Sequence, residues 1–438
     1  MRITGIVAGI TAIGVLFGAA TTGAETLREQ LNNLFIQGLQ VQRSGGVEDP
    51  FGATGTTAVE SNARIISALS SLVASSLSSF PLSSTSSGVV FDFAGGVPVA
   101  TQTSTGPIFS EKAQTLGKGK MSLGFNFTRR NLGTIRGVNT EDVVFNFVHR
   151  DIDGDGFLGE QNAEYDIIEL RPNLDFDATV LATYWSYGLS ERFDVGIALP
   201  IVSVNVTLEP EARINSETFA RTGGATYYYA GTSSNPVLAG SSGTVTESAT
   251  GIGDIALRTK WHMLDRDIDL GLLTELRLPT GSEDNFIGTG STTLKLMMVG
   301  SWNYRDFSPH LNLGYDLRGD KDRDEFEMTL GWDQRVSDRW TIAVDWIGEF
   351  EVGGETDDRA FPDPVDIGPV SGSQQTVITT IEPSNIPNQV SDNILNVSFG
   401  AKYAPNDKFL FMGNLILPTN DDGLRSSMIT TFGLEIAL

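Results

Sequence analysis

The chain has 438 residues, a formal net charge of −24 and no cysteine. Hydrophobic residues make up only 40%, which argues against a helical membrane bundle. Beyond Glu25 no apolar run reaches the ~20 residues of a transmembrane helix. The acidic balance argues against a nucleic-acid partner, which requires basic patches. The missing cysteine means only that no disulfide is used.

Residues 1–24 read as a secretory signal peptide. Arg2 is its positive start, residues 3–20 are apolar, and Thr22-Gly23-Ala24 supplies small residues for cleavage. From Glu25 to about Gln42 the pattern is an amphipathic helix, with Leu27, Leu31, Leu34, Phe35 and Ile36 on one broad face. A Gly/Pro-containing break follows. Residues 58–79 are helical again through Ile65, Ile66, Leu69, Leu72, Val73 and Leu77, and Phe80-Pro81 ends them. Residues 82–118 are rich in Ser, Thr and Gly, with one short apolar segment at 89–93. Residues 25–118 are expected to form either a plug inside the domain that follows or a periplasmic segment.

From residue 119 to 438 the period is two, the mark of strands. The first strand is expected over 120–128, with Met121, Leu123, Phe125 and Phe127 on one face. Residues 142–150 and 164–171 flank an acidic loop and read as a hairpin standing above the membrane. A span over 174–188, a tight turn at 189–192, a return from Phe193 and a long polar loop over 209–250 follow. Residues 251–352 read as six strands in hairpin order. A loop over 353–392, a hairpin over 393–417 and a last strand from Met428 to Leu438 complete the chain.

Three strands end at proline, in Leu199-Pro200, Leu278-Pro279 and Leu417-Pro418, where a missing ladder donor suits the end of pairing. Short charged turns alternate with longer loops, as in outer-membrane barrels. The expected fold is all-β, an antiparallel transmembrane β-barrel of 12 strands, or 14 if the hairpin around Asp151 crosses the membrane.

The faces follow from the alternation. Leu257, Trp261, Leu272, Leu276, Leu296 and Leu330 are expected to face lipid. Arg258, Lys260, His262, Glu275, Arg277, Lys295, His310, Asp316, Arg318, Glu327, Asp345 and Glu349 are expected to line the lumen, where near-balanced charges pair across strands. A four-residue turn over 265–268 pairs Leu264 with Asp269. It sets Met263 opposite Leu270, Trp261 opposite Leu272, Leu257 opposite Leu276 and Arg258 opposite Glu275.

Asp151-x-Asp153-x-Asp155-Gly156 matches the start of an EF-hand-type calcium loop, with Phe157 offering its backbone carbonyl. The twelfth position is Asn162 rather than the usual bidentate Glu; Glu160 or Glu164 can stand in. A structural calcium ion is therefore the one cofactor expected, against the plainer alternative of a solvated acidic loop. Only His149, His262 and His310 occur, and no spacing ties one to a serine and an acid, so no catalytic residue and no enzyme activity is expected.

The ending Thr431-x-Gly433-x-x-Ile436-x-Leu438 resembles the signal read by barrel assembly machinery, although bacterial clients usually end in an aromatic residue. Three further segments carry a family resemblance: Phe109-Ser110-Glu111-Lys112-Ala113 with Leu116-Gly117-Lys118-Gly119-Lys120; Tyr187 to Gly196; and Leu278-Pro279-Thr280-Gly281. They resemble outer-membrane proteins of the MetA-pathway of phenol degradation family, distant relatives of the fatty-acid transporter barrels. The resemblance covers roughly residues 80–438. It implies a channel in the bacterial outer membrane for passive uptake of small hydrophobic or aromatic molecules. It carries over no binding residue, since its motifs are turns and strand ends. The expected partners are outer-membrane lipid, the assembly machinery and a small-molecule substrate. The alternative is a structural or adhesive barrel acting through its extracellular loops.

Overall fold

The computed structural model describes residues 25–31, helical residues 64–65, 67–69 and 71–73, and the backbone of strand residues 41–43, 46–48, 91–92 and 99–100. It also describes residues 110–438 except 242, 267, 303, 320–322, 354–358, 372–373, 390 and 407. The expected signal peptide lies outside the described residues.

Twelve antiparallel strands close on themselves: β1 (Met121–Ile135), β2 (Leu174–Ser190), β3 (Phe193–Leu208), β4 (Ile255–Leu264), β5 (Asp269–Leu278), β6 (Thr293–Ser301), β7 (Phe307–Leu317), β8 (Asp324–Arg335), β9 (Trp340–Val352), β10 (Ile394–Tyr403), β11 (Phe409–Pro418) and β12 (Leu424–Ala437). Each pairs with the next, and β12 pairs with β1 from Leu424↔Ile135 to Ala437↔Ser122. Closure removes every free edge from the apolar zone, where an unpaired backbone group would cost several kcal/mol. The last residue takes part, since the Leu438 amide donates to the Met121 carbonyl at 2.9 Å.

The exterior is apolar. Leu257, Trp261, Leu296 and Leu330 are exposed, and Leu272 and Leu276 lie half-buried on the same face. Trp185, Trp332 and Trp340 are also exposed. Trp340 packs on Tyr403, with ring centroids 4.8 Å apart, beside a short turn. Such amphipathic rings suit a membrane interface.

The turns after β2, β4, β6, β8 and β10 lie at one end (the turn end), and the other connections, which include all the long ones, lie at the other (the loop end). The hairpin around Asp151 does not enter the barrel wall. Phe145–Val148 and Ile167–Arg171 pair instead in a four-stranded sheet with Glu211–Asn215 and Ala239–Ser241, which gives twelve barrel strands and not fourteen. Pro200 does not end its strand. Pairing of β3 with β4 stops at Ala198↔Ala256 and resumes as Ile201↔Ile252 on Val245–Ile252. The proline, which lacks an amide hydrogen, sits at that changeover, and its carbonyl accepts from the Gly253 amide at 2.9 Å.

The β4–β5 register is as expected at Leu257↔Leu276, Arg258↔Glu275 and Trp261↔Leu272, but not at the turn. Leu264 pairs with Leu270 rather than with Asp269, and Met263 is the extra residue of a β-bulge. Asp269 shares the inward face of β5 with Gly271, Leu273 and Glu275, where it is 8% exposed and accepts a hydrogen bond from Gln114.

The N-terminal segment differs from a simple helix pair. Residues 27–31 are helical, but Val41–Arg43 is a strand, not the end of that helix, because it pairs with Tyr227–Tyr228 in the long connection after β3. Leu27, Leu31, Ile65, Leu69 and Leu72 are buried in one apolar cluster with Phe145, Phe147, Phe176 and Phe286 at the loop end. Arg28 reaches Glu283 at 3.3 Å. These helical residues therefore pack at the loop end.

Candidate functional site

Residues 110–117 cross the turn-end half of the lumen. None of their side chains reads as periodic; each is placed by a partner on the wall. Ser110 Oγ donates to Asp345 Oδ1 at 2.9 Å, and Lys112 Nζ lies 3.6 Å from Asp333 Oδ1 with both side chains buried. Glu111 accepts from Lys260 Nζ at 2.7 Å and lies 3.6 Å from Arg258. The Ala113 amide donates to Ser301 Oγ at 3.2 Å, and the Leu116 amide to Asp194 Oδ2 at 2.8 Å. The chain then leaves the lumen at Gly119, whose amide donates to the Gly188 carbonyl at 2.8 Å. A Cβ on Gly188 would collide with the Gly117 carbonyl oxygen, and one on Gly271 would lie 3.0 Å from the Ala113 carbonyl oxygen. Glycine on the wall is thus what admits the segment.

Above this segment is a chamber. It reaches from Glu111 to Leu72 of the N-terminal helical residues, and the barrel wall surrounds it. On the side of β4 to β8 the wall is a ladder of ion pairs. Arg258 Nη2 lies 2.5 Å from Glu275 Oε2, while Arg277 Nη2 donates to Glu275 Oε1 at 3.1 Å. Lys295 lies 2.5 Å from Glu327 and 3.4 Å from Asp316, and Arg318 pairs with Glu325. Register sets two of these pairs directly: Glu275 stands opposite both Arg258 and Lys295, and Lys295 opposite Asp316. Lower down, His310 Nε2 meets Asp345 Oδ1 at 2.7 Å and His262 Nε2 lies 3.5 Å from Asp269 Oδ1. Glu349 faces the chamber directly opposite Glu327. Arg258, Glu275, Arg277, Lys295, Arg318, Glu327 and Glu349 line the chamber, while Lys260, His262, His310, Asp316 and Asp345 lie in the ion-pair network outside its lining. Glu111, Lys112, Asp194, Asp269 and Asp333 complete the network and were not anticipated.

A second cluster lies outside the barrel. One carboxylate oxygen from each of Asp151, Asp153 and Asp155 falls within 4.8 Å of the others. Asp151 accepts the Gly154 and Gly156 amides, each at 2.7 Å, which curls the loop. Glu164 is fully buried and accepts the amides of Ile152, Gly159, Glu160 and Gln161. It closes the loop from behind instead of standing free as a twelfth-position ligand. Glu160 is pushed up to about 7, first by its hydrogen bond to Asp153 and then by burial and the neighbouring carboxylates. Phe157 is placed by its amide, which donates to Asp155 at 2.9 Å. His149 lies buried beside this loop, with Nε2 3.0 Å from the Tyr227 hydroxyl.

Residues 158–383, just over half the chain, match the family described as "Putative MetA-pathway of phenol degradation". The chain belongs to that family. The match begins in the calcium-type loop and ends before β10, so the segment in the lumen lies outside it. No curated protein matches this family member.

Among solved structures, an outer membrane channel from Pseudomonas putida F1 shares 11% identity over 74% of this chain and 98% of its own, with a TM-score of 0.41. A Pseudomonas aeruginosa FadL homologue shares 10% over 73% and 90%, with a TM-score of 0.32. The Ralstonia pickettii toluene transporter shares 12% over 73% and 89%, with a TM-score of 0.23. Likeness of this degree says nothing about what the family member carries.

Proposed function

We propose that the protein is a bacterial outer-membrane channel for passive uptake of small hydrophobic or aromatic molecules, with its own N-terminal segment as the barrier. The observation that carries this reading is the chamber in the lumen, bounded below by residues 110–117 and above by Leu72. Its wall joins ion pairs to aliphatic side chains such as Leu273, Met297 and Ile416. An aromatic ring with a polar substituent suits such a mixture better than a hydrated ion does. The long connections lie outside the cell on this reading, as in other barrels of this kind. Deleting residues 25–79 should raise the flux of phenol into liposomes. Unchanged flux would remove the segment's role as barrier, and no flux in either form would favour a barrel that acts through its loops.

The loop at Asp151, Asp153 and Asp155 is proposed to hold a structural calcium ion at the outer surface. Three converging carboxylates repel one another, and a bound cation relieves that repulsion. Phe157 would add its carbonyl oxygen.

A further inference from the structure

Leu424, Arg425 and Ser426 are consecutive on β12, and all three line the chamber. A regular strand would send the middle one to the opposite face. Two irregularities in the β12–β1 pairing lift that constraint. Arg425 stands opposite Thr134 and Ser426 opposite Leu132, so Gly133 is an extra residue on β1. Ile429 then stands opposite Arg130, so Ser427 and Met428 share Asn131. Bulges of this kind re-aim a side chain and gather beside functional sites.

Ser426 is 3% exposed, and its hydroxyl has no hydrogen-bond partner among the described residues. A buried hydroxyl without a bond is costly, and a group that bonds it from the chamber removes that cost. The polar groups on the same side are engaged elsewhere. Arg425 donates to the Leu395 carbonyl at 2.8 Å and to Asn396 Oδ1 at 2.7 Å. Glu351 meets Arg359 at 2.5 Å, and Arg130 has interactions of its own. Glu349 stands between Glu327 on β8 and Ile394 on β10. Toward the turn end from Ser426, Ile416 and Ile429 pair directly and both line the chamber. Around the whole lining, carboxylates and cations are equal in number. A charged solute would upset that balance in a buried space, whereas a neutral one leaves it intact.

We propose that Ser426 selects a neutral solute with a hydroxyl or carbonyl group, which it hydrogen-bonds while Ile416 and Ile429 take the apolar body. The inference rests on the reading of the lumen as an uptake path. It deepens that reading by naming the residue that recognises the solute and by excluding acids and amines.

Calorimetry on the full chain in detergent tests it, with benzyl alcohol, its near-isostere ethylbenzene, benzoate and benzylamine as probes. Benzyl alcohol should bind saturably and more tightly than either ion. Ser426→Ala should weaken benzyl alcohol about fivefold, the worth of one neutral hydrogen bond, and leave ethylbenzene nearly unchanged. Ser426→Thr restores a hydroxyl and should recover most of the loss. If Ser426→Ala fails to show the heat-modifiable band of a folded barrel, Ser426→Cys takes its place with the same expectation. No saturable binding of benzyl alcohol, tighter binding of benzoate or benzylamine, or an equal effect of Ser426→Ala on benzyl alcohol and ethylbenzene would overturn the proposal. Liposome flux keeps the two readings apart. Benzyl alcohol bound through Ser426 but never passed would sink uptake and leave the site standing; phenol passed while benzyl alcohol binding is indifferent to Ser426→Ala would do the reverse.

Discussion

Glu275 serves two arginines, and this gives an asymmetry that mutation can measure. Its carboxylate is 3% exposed and holds Arg258 at 2.5 Å through one oxygen and Arg277 at 3.1 Å through the other. Glu275→Gln leaves two buried guanidinium groups short of charge, and breaking a buried pair in this way costs about 3–5 kcal/mol. Arg258→Gln costs less, about 1.5–3 kcal/mol, the worth of hydrogen bonds to a charged group. Glu275 then keeps Arg277, and Glu111 keeps Lys260 at 2.7 Å. The double variant should show a coupling energy of about 1–3 kcal/mol, as expected for residues in one network. Replacing all three of Arg258, Glu275 and Arg277 by apolar residues should cost less than Glu275→Gln alone, because no charge is then left stranded. Guanidinium titration of the folded barrel in micelles, followed by tryptophan fluorescence, measures each step. A Glu275→Gln variant no less stable than Arg258→Gln, or a coupling energy near zero, would refute the network.

Three further outcomes are expected. Leu272→Arg should cost about 2–4 kcal/mol if the residue lies near the bilayer midplane, and cysteines placed at 257 or 272 should resist a lipid-impermeant thiol reagent; free reaction would put these positions on the wrong face. Calcium should bind calorimetrically to the wild type and not to Asp153→Ala, and more tightly at pH 8 than at pH 6. The sign follows from Glu160: pushed from 4.5 to about 7 by its hydrogen bond to Asp153, it holds a proton in the folded loop that the unfolded chain has released between those values. The metal-free loop thus loses stability as pH rises through that window, and calcium must displace the same proton; affinity independent of pH would count against this. Gly188→Ala should loosen residues 117–119 and raise the protein's conductance in planar bilayers, because the added methyl collides with the Gly117 carbonyl oxygen; an unchanged conductance would show that the wall yields instead.

The barrel was legible because each side chain in β4 to β9 reports its own face. A period of two needs no knowledge of the rest of the chain, and register follows once a one-residue slip would place Arg258 in lipid. Legibility failed wherever a distant partner decides the backbone. Met263 is the extra residue of a bulge, and nothing in the alternation around it announces the bulge. Gln42 joins a strand because Tyr228 stands beside it, although its own neighbourhood has helical periodicity. The hairpin at Asp151 was placed outside the wall by the polarity of its loop, a local signal, and that reading agreed with the sheet in which it pairs.

The segment in the lumen had a signal that charge counting along single strands does not reveal. Asp333 stands opposite Ser308 and Ala343, Asp345 opposite Gly331 and Ser398, and Asp269 opposite Ser301. None of these inward carboxylates has a cation directly across from it, in contrast to Glu275 and Asp316 on the same wall. Wall histidines lie beside two of them, His262 at 3.5 Å from Asp269 and His310 at 2.7 Å from Asp345, and the segment adds a partner at all three through Gln114, Ser110 and Lys112. A buried carboxylate is costly unless it is paired and hydrogen-bonded. An aligned ladder whose inward carboxylates have no cation directly across therefore favours an occupant in the lumen. The chemistry of those places also sets its character: one cation and two hydrogen-bond donors within a short extended stretch, which Ser110-Glu111-Lys112-Ala113-Gln114 provides in sequence.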